Sequence, residues 1–406
     1  MTTELARRAA ELDDADPLGA FRGRFEPAPG VVAYLDGNSL GRPLAVTAER
    51  MAAFVREQWG GRLIRGWDES WMAEPQRIGD EIGRIALGAA PGQTLVGDST
   101  TVLLYKAARA ALAARPERRE IVLDSANFPT DRYLLAGIAE EQGHRLVVLD
   151  PPDDGGVTPE MVARAAGPDT ALVLLSHVAF RSAYVAEAAA ITRIAHDAGA
   201  LVLWDLSHST GAVPVDLDGW DADLAAGCSY KYLNGGPGAP AFVYVARRLQ
   251  GELRQPIQGW LGAADPFLMG ERYEPTEGIR RFTSGTPPVL GMLPIADMLA
   301  LLDEAGMPAV RAKSAALTAF AVEVADALLA PLGVRLDSPR DPERRGSHLM
   351  LGHPRFGHLV ERLWSRGVIP DFRPPDGLRV GLSPLSTSFA EVHAGLSVVG
   401  EELATG

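Results

Sequence analysis

The 406-residue chain carries 52 acidic against 39 basic side chains, a net charge of −13, with 47% hydrophobic and 22% charged residues. That balance excludes a long disordered chain and argues against a nucleic-acid-binding face, which would have to be basic; the length allows one large domain and a smaller one. A single cysteine, Cys228, rules out an internal disulfide framework and fits a reducing compartment.

The chain opens on "MTTELARRAAELDDADPLG", acidic and without the apolar segment of a secretory signal. "REIVLDSANFPT" predicts a strand ending near Asp124, followed by a loop and a helix over about 130–142. "HRLVVLDPP" predicts a strand and "MVARAAG" a helix closed by Gly167. "ALVLLSHV" predicts a buried strand, and His177 breaks its apolar run far short of a membrane span. "EAAAITRIAHDAG" has helical spacing with Gly199 as its C-cap, and "ALVLWDLSHS" is another buried strand. Strands without polar alternation, separated by amphipathic helices, predict a mainly parallel sheet covered on both faces, an α/β domain spanning 46–305. Residues 1–45 and 306–406 are expected to form a small α+β domain. Its elements include the helix "AALTAFAVEVADALLAPLG", the strand "GLRVGLSP" and the closing helix "SFAEVHAGLSVVGEELA". The expectation is a soluble cytoplasmic protein.

In parallel sheets ligands gather at the carboxyl ends of the strands. Polar residues fall there three times: Asn127 to Asp131, Ser176 with His177, and Asp205 with His208. Lys231 follows Asp205 by 26 residues, in the run "GCSYKYLNGGPGAPAFVYV". An acid at a strand end and a downstream lysine in a glycine-rich turn suit pyridoxal 5′-phosphate: the carboxylate keeps the pyridine nitrogen protonated and the lysine forms the Schiff base. Alone, Asp205 reads equally well as a turn residue and Lys231 as a surface lysine. Ser99, Thr100 and Thr101 stand where a helix begins and suit an anion, although an ordinary N-cap is the commoner fate of such a triplet. Phe128 offers a ring to stack on a cofactor plane, and Ser284, Gly285 and Thr286 form a loop able to donate hydrogen bonds to phosphate. No metal-ligand pattern stands out.

Together these pieces resemble the kynureninases, fold-type I pyridoxal-phosphate enzymes of the class V aminotransferase superfamily. The resemblance rests on "YLDGNSLGRP" (34–43), "NFPTDRY" (127–133), "SHVAFRSAY" (176–184), "WDLSHSTGAVPVDL" (204–217), the Lys231 run (227–245) and "RVGLSPLSTSF" (379–389), in the family's order. It implies the fold of aspartate aminotransferase and a homodimer with active sites at the subunit interface. It also implies hydrolysis of L-kynurenine to anthranilate and L-alanine, in tryptophan catabolism. Position by position, it makes Lys231 the Schiff-base lysine, Asp205 the partner of the pyridine nitrogen and Phe128 the stacking ring. Asp131, Ser176 and His208 lie close to the cofactor, and Thr100, Thr101 and Tyr230 on its phosphate side. Trp260 and Thr286 match phosphate positions lent by the neighbouring subunit. Tyr230 resembles the acid that protonates the leaving carbon. Arg379 resembles the clamp on the substrate's α-carboxylate, with Asn38 and Ser39 also on the substrate side.

Trp67, in "QWGGRLIRGWDESW", sits where bacterial members preferring kynurenine carry tryptophan and animal enzymes preferring 3-hydroxykynurenine carry histidine. Thr286, in place of the animal asparagine, points the same way. The alternatives are a class V aminotransferase, a hydrolase of a kynurenine-like amino acid in secondary metabolism, a cysteine desulfurase and a catalytically silent scaffold. The desulfurase suffers from Cys228 lying three residues before the lysine instead of on a mobile loop.

Overall fold

The computed structural model describes residues 2–405. Among these, twelve strands run in chain order: β1 (Ala33–Leu35), β2 (Thr94–Gly97), β3 (Glu120–Asp124), β4 (Arg145–Leu149), β5 (Thr170–Ser176), β6 (Leu201–Asp205), β7 (Leu224–Gly227), β8 (Ala241–Val245), β9 (Arg335–Leu336), β10 (His348–Gly352), β11 (Val368–Arg373) and β12 (Gly377–Gly381).

Seven of them form one sheet in the order β2-β8-β7-β6-β5-β3-β4. The neighbours from β4 across to β7 pair in parallel, and β8 runs antiparallel to both β7 and β2. Every residue of β3, β6, β7 and β8 is buried, which is why their sequences do not alternate: helices cover both faces. Three of those helices, Pro129–Gln142, Pro159–Ala165 and Ala188–Asp197, are the crossovers expected from the apolar spacing. The middle one stops at Ala165 because Ala166 is already extended, so Gly167 lies outside the helix. Gly199 takes φ +78°, as a C-terminal cap requires.

The second sheet has the order β1-β11-β12-β10-β9, antiparallel except for the β1–β11 pair. The helix Met307–Leu328 and the closing helix Phe389–Ala404 pack on it. Asp13, at the end of the first helix, accepts from the free backbone amides of Phe389 and Ala390 at 3.0 and 2.9 Å, anchoring the N-terminus to the closing helix. The two sheets have separate apolar cores, and the N-terminal segment serves both. Leu5, Ala9, Ala33 and Leu35 join the smaller core, whereas Leu18, Phe25 and Leu44 join the larger.

This arrangement faces the carboxyl ends of β3, β5, β6 and β7 toward one edge of the smaller sheet. Strand β2 ends beside them and leads through Asp98 into the helix Thr100–Ala113. From the other side, β12 presents Arg379, and the loop after β1 presents Asn38 and Ser39.

Candidate active site

Strand β7 ends at Gly227, and the turn that follows delivers Tyr230 and Lys231. The N-terminal loop packs against this turn: the Gly41 amide donates to the Tyr230 carbonyl at 2.8 Å, and a Cβ at Gly41 would stand 2.4 Å from the Lys231 carbonyl oxygen. Lys231 is buried, with Nζ 2.8 Å from His208 Nε2 and 5.8 Å from the centre of the Phe128 ring. Burial lowers its pKa, while Cys228 and Asp205 act in the opposite direction. Burial thus draws the amine toward its nucleophilic form, against the pull of the two acidic neighbours.

Around the amine lies a cavity of about 170 Å³ lined by Ser99, Thr100, Thr101, Phe128, Asp131 and Asp205, with Ser207, His208, Tyr230 and Lys231 completing it. Asp205, the last residue of β6, is fixed by accepting from the Ser207 amide at 2.8 Å. Ser99 caps the helix Thr100–Ala113, so the following backbone amides and the Thr100 and Thr101 side chains form one polar end of the cavity. Asp131 is almost fully buried, and neither of its carboxylate oxygens has a hydrogen-bond partner. Burial, then the nearby Asp205 and Asp124 carboxylates, hold its pKa well above the usual range. His208 Nδ1 also lacks a partner, and burial followed by the Lys231 charge holds that ring neutral. Lys231 and His208 Nε2 share one hydrogen bond, so Nδ1 is left as an unused polar atom whichever ring nitrogen carries the proton. Buried acceptors and donors without partners are costly unless something polar fills the cavity between them. An anion-binding helix end, a flat ring, two carboxylates and a nucleophilic amine fit pyridoxal 5′-phosphate.

Ser176 and Asn127 line a separate narrow cleft with Phe180, which shares no lining residue with the Lys231 cavity and meets it through the Phe128–Phe180 contact. The Ser176 hydroxyl donates to Asn127 Oδ1 at 2.7 Å. Phe180 meets Phe128 edge to face at 5.3 Å, which holds the candidate stacking ring upright. Tyr230 is partly buried, and burial, then Cys228, raises its phenol above the ordinary value. The phenol therefore stays protonated at neutral pH and is a weaker acid than a free tyrosine until a bound group changes its surroundings.

Arg379 is buried at the centre of β12. Its guanidinium donates to Ser39 Oγ at 2.6 Å, to the Phe180 carbonyl at 3.0 Å and to Asp371 at 2.7 Å. With the amide oxygen turned toward it, Asn38 accepts from Nε at 2.9 Å. Asp371 Oδ2 also accepts from Arg373 Nε at 2.6 Å, so one carboxylate oxygen bridges two arginines. Burial raises Asp36, on the far side of Arg379, to a pKa of about 6.

Trp67, Trp260 and Thr286 come together, but elsewhere. They line a hollow of about 270 Å³ with Ile64, Met72 and Phe267 and share no wall with the Lys231 cavity within this chain. His177, grouped with the strand-end residues by sequence, is also not at the site. It is buried against Trp204 and Trp220, bonded to Ser209 at 2.9 Å, and its pKa falls to about 3 by burial. The hydroxyl of Ser284, expected to face a phosphate, is engaged by Asp98 and Lys106. Sequence reading missed Asn127 as an anchor for Ser176, Asp371 as the partner of Arg379, and Lys106. Asp371 stands directly opposite Arg379 in the antiparallel β11–β12 pair, a local cross-strand pairing, whereas Lys106 meets Ser284 from 178 residues away with no local signature.

The family described as Aminotransferase class-V matches residues 85–349, and that described as Kynureninase C-terminal domain matches residues 310–399. The Kynureninase of Pseudomonas fluorescens is 41% identical over 400 residues, 97% of this chain and 94% of that protein. The Kynureninase of Burkholderia pseudomallei is 39% identical over 404 residues, 98% of this chain and 95% of that protein. Among solved structures, a cysteine desulfurase from Thermococcus onnurineus matches with a TM-score of 0.81 at 18% identity, covering 92% of this chain and 95% of that one. The cysteine desulfurase CsdA from Escherichia coli matches with a TM-score of 0.81 at 18% identity, covering 96% and 98%. A C-DES mutant with glycine covalently linked to its pyridoxal-phosphate cofactor matches with a TM-score of 0.82 at 18% identity, covering 94% and 99%. At that identity the structural matches speak for the fold alone.

Proposed function

This chain belongs to the kynureninase family, and from that premise we propose that it hydrolyses the Cβ–Cγ bond of L-kynurenine, giving anthranilate and L-alanine. The observation that carries the reading is the Lys231 cavity, whose unpartnered Asp131 and His208 atoms, Asp205 and polar helix end suit pyridoxal 5′-phosphate. Bound there, the cofactor supplies an electron sink for the negative charge that develops on the substrate's carbons.

The remaining work falls to the chain. Lys231 would hold the cofactor through its amine, and that amine, released when the substrate's amine takes its place, would take the proton from the substrate's Cα. Asp205 would serve as the carboxylate partner of the pyridine nitrogen and Phe128 as the packing ring. Asp131, Ser176 and His208 would hold the ring's polar edge, and Thr100, Thr101 and Tyr230 the phosphate. Arg379, steadied by Asn38, Ser39 and Asp371, orients the α-carboxylate through the Nη1 hydrogen that its partners leave free. Water attacks the γ-carbonyl, and Tyr230, held protonated, delivers the proton to Cβ as the bond breaks.

Trp59, Leu63, Ile64, Phe267, Leu268 and Met269 are all more than half exposed around Trp67 and Trp260, a cluster of large apolar side chains of the kind that marks an interaction surface. This supports a homodimer in which a second copy brings Trp260 and Thr286 to the phosphate side of the Lys231 cavity and closes the ring pocket with Trp67. A tryptophan wall gives a ring hydroxyl no partner, which favours L-kynurenine over 3-hydroxykynurenine. The domain boundaries at 46 and 305, a cytoplasmic location and a role in tryptophan catabolism complete the proposal. No helix among the described residues is long and apolar enough to cross a membrane.

A desulfurase would need an accessible, reactive thiol, but Cys228 is buried, and burial raises its pKa. The test is incubation with L-kynurenine and with 3-hydroxykynurenine while following anthranilate fluorescence and alanine release. Anthranilate and alanine in equal amounts are expected. Transamination without anthranilate would sink the reading in favour of an aminotransferase, and comparable kcat/KM for the two substrates would remove the stated preference.

A further inference from the structure

Lys106 has no exposed side-chain surface, yet neither fold nor proposed chemistry calls for a lysine there. It lies two turns into the helix Thr100–Ala113, and its ammonium reaches back toward the helix's own N-terminus. All three of its donors are used: Asp98 at 3.0 Å, Ser284 Oγ at 2.8 Å and the Phe282 carbonyl. Asp98 immediately precedes the capping residue Ser99 and holds a left-handed backbone, φ +49°, unusual for a residue other than glycine. Its Oδ2 also accepts from Ser284 at 3.1 Å. Ser284 lies two residues before Thr286.

A carboxylate directly before a helix terminus that must receive a phosphate is electrostatically unfavourable for that phosphate. A buried cation bonded to the same oxygen removes the conflict. It also ties the strained residue and the Thr286 loop into one unit. We propose that Lys106 is a positioning residue for the cofactor phosphate: it neutralises Asp98 beside the Ser99–Thr101 terminus and fastens that terminus to the loop carrying Ser284. The inference rests on the cofactor reading above and extends it to a residue that touches neither cofactor nor substrate.

The test measures cofactor affinity directly, by ultrafiltration of holoenzyme and absorbance of the bound and free fractions, alongside the thermal midpoint of each variant. Lys106→Met leaves Asp98 charged and unpaired and is expected to weaken pyridoxal-phosphate binding at least about tenfold. The double variant Asp98→Asn/Lys106→Met removes both charges while keeping a residue type that tolerates positive φ, and is expected to bind within about threefold of wild type. A purely structural strut would lower the midpoint of both variants without this recovery. Lys106→Met with wild-type affinity, or a double variant as weak as the single one, overturns the inference. If Lys106→Met does not fold, the double variant decides by the same thresholds. Wild-type protein that binds no cofactor would overturn the cofactor reading and the inference together, whereas a cofactor-binding wild type with an indifferent Lys106→Met overturns the inference alone.

Discussion

Lys231 Nζ stands 2.8 Å from His208 Nε2, an amine and a neutral imidazole facing each other in a site closed to bulk water. Burial, then the Lys231 charge, holds the imidazole neutral, and burial lowers the amine's own pKa. A neutral imidazole can take up a proton from the amine, which is then free to act as nucleophile and base.

Lys231→Ala is therefore expected to lower turnover by at least about four orders of magnitude, as removing a nucleophile that works with its neighbours does. The thermal midpoint of the cofactor-free protein should hold or rise, since a desolvated amine is gone. Anthranilate fluorescence measures the first and a melting scan the second. A variant retaining a tenth of wild-type turnover would remove Lys231 from the chemistry.

Asp131 carries a pH signature with a definite sign. Its folded pKa is raised by burial, then by Asp205 and Asp124, so between the ordinary carboxylate value and that raised value the folded protein holds a proton the unfolded chain has released. The stabilisation this gives cofactor-free protein is fully present below the unfolded pKa and lost as pH rises through the folded one. Asp131→Asn does not titrate. Its cofactor-free midpoint should exceed that of wild type at neutral pH, and the gap should close as pH falls toward about 4. The same variant should bind the cofactor more weakly. Parallel midpoint-against-pH curves for the two proteins would show the carboxylate to be unstrained.

The bridge from Arg373 through Asp371 to Arg379 predicts a split in kinetic constants. Asp371→Asn leaves the guanidinium in place but removes the charge that orients it, so KM for L-kynurenine should rise roughly tenfold with kcat changed less than about threefold. Steady-state kinetics with the amino acid decide it. An equal fall in kcat at unchanged KM would assign Asp371 to the chemical step instead.

A two-chain site predicts complementation. Trp260→Ala/Thr286→Ala and Lys231→Ala proteins, each nearly inactive, should regain activity when unfolded together and refolded as a mixture, because a mixed dimer contains one intact site. Sedimentation of wild type should give twice the chain mass. Mixtures that form mixed dimers yet stay inactive would place Trp260 and Thr286 outside the site.

The layer structure of the larger sheet was legible because parallel strands covered on both faces have apolar centres, and β3, β5 and β6 carry polar residues only at their ends. Thr100, Thr101, Phe128, Asp131, Asp205, His208 and Lys231 were legible as a group because each sits at a strand end or in the loop or helix start that follows, and the sheet brings strand ends together in the cavity that they line. His177 follows the same rule and fails it: its side chain turns into the core beside Trp204, while its neighbour Ser176 opens on the cleft beside Phe180.

By itself, the sequence determined the sheet's character and offered the pairing of an acid with a lysine, through local spacing and composition, and its ordered motifs carried the resemblance to the family. Only the tertiary structure decided which polar groups from distant parts of the chain meet. It set Ser39 on Arg379, 340 residues apart, and Ser284 on Lys106, 178 apart, and it parted Trp67 from Lys231 within one chain. The first contact lies within the smaller sheet and its N-terminal loop, the second within the larger unit, and each is fixed by the sum of many buried apolar contacts and written in no single stretch of residues.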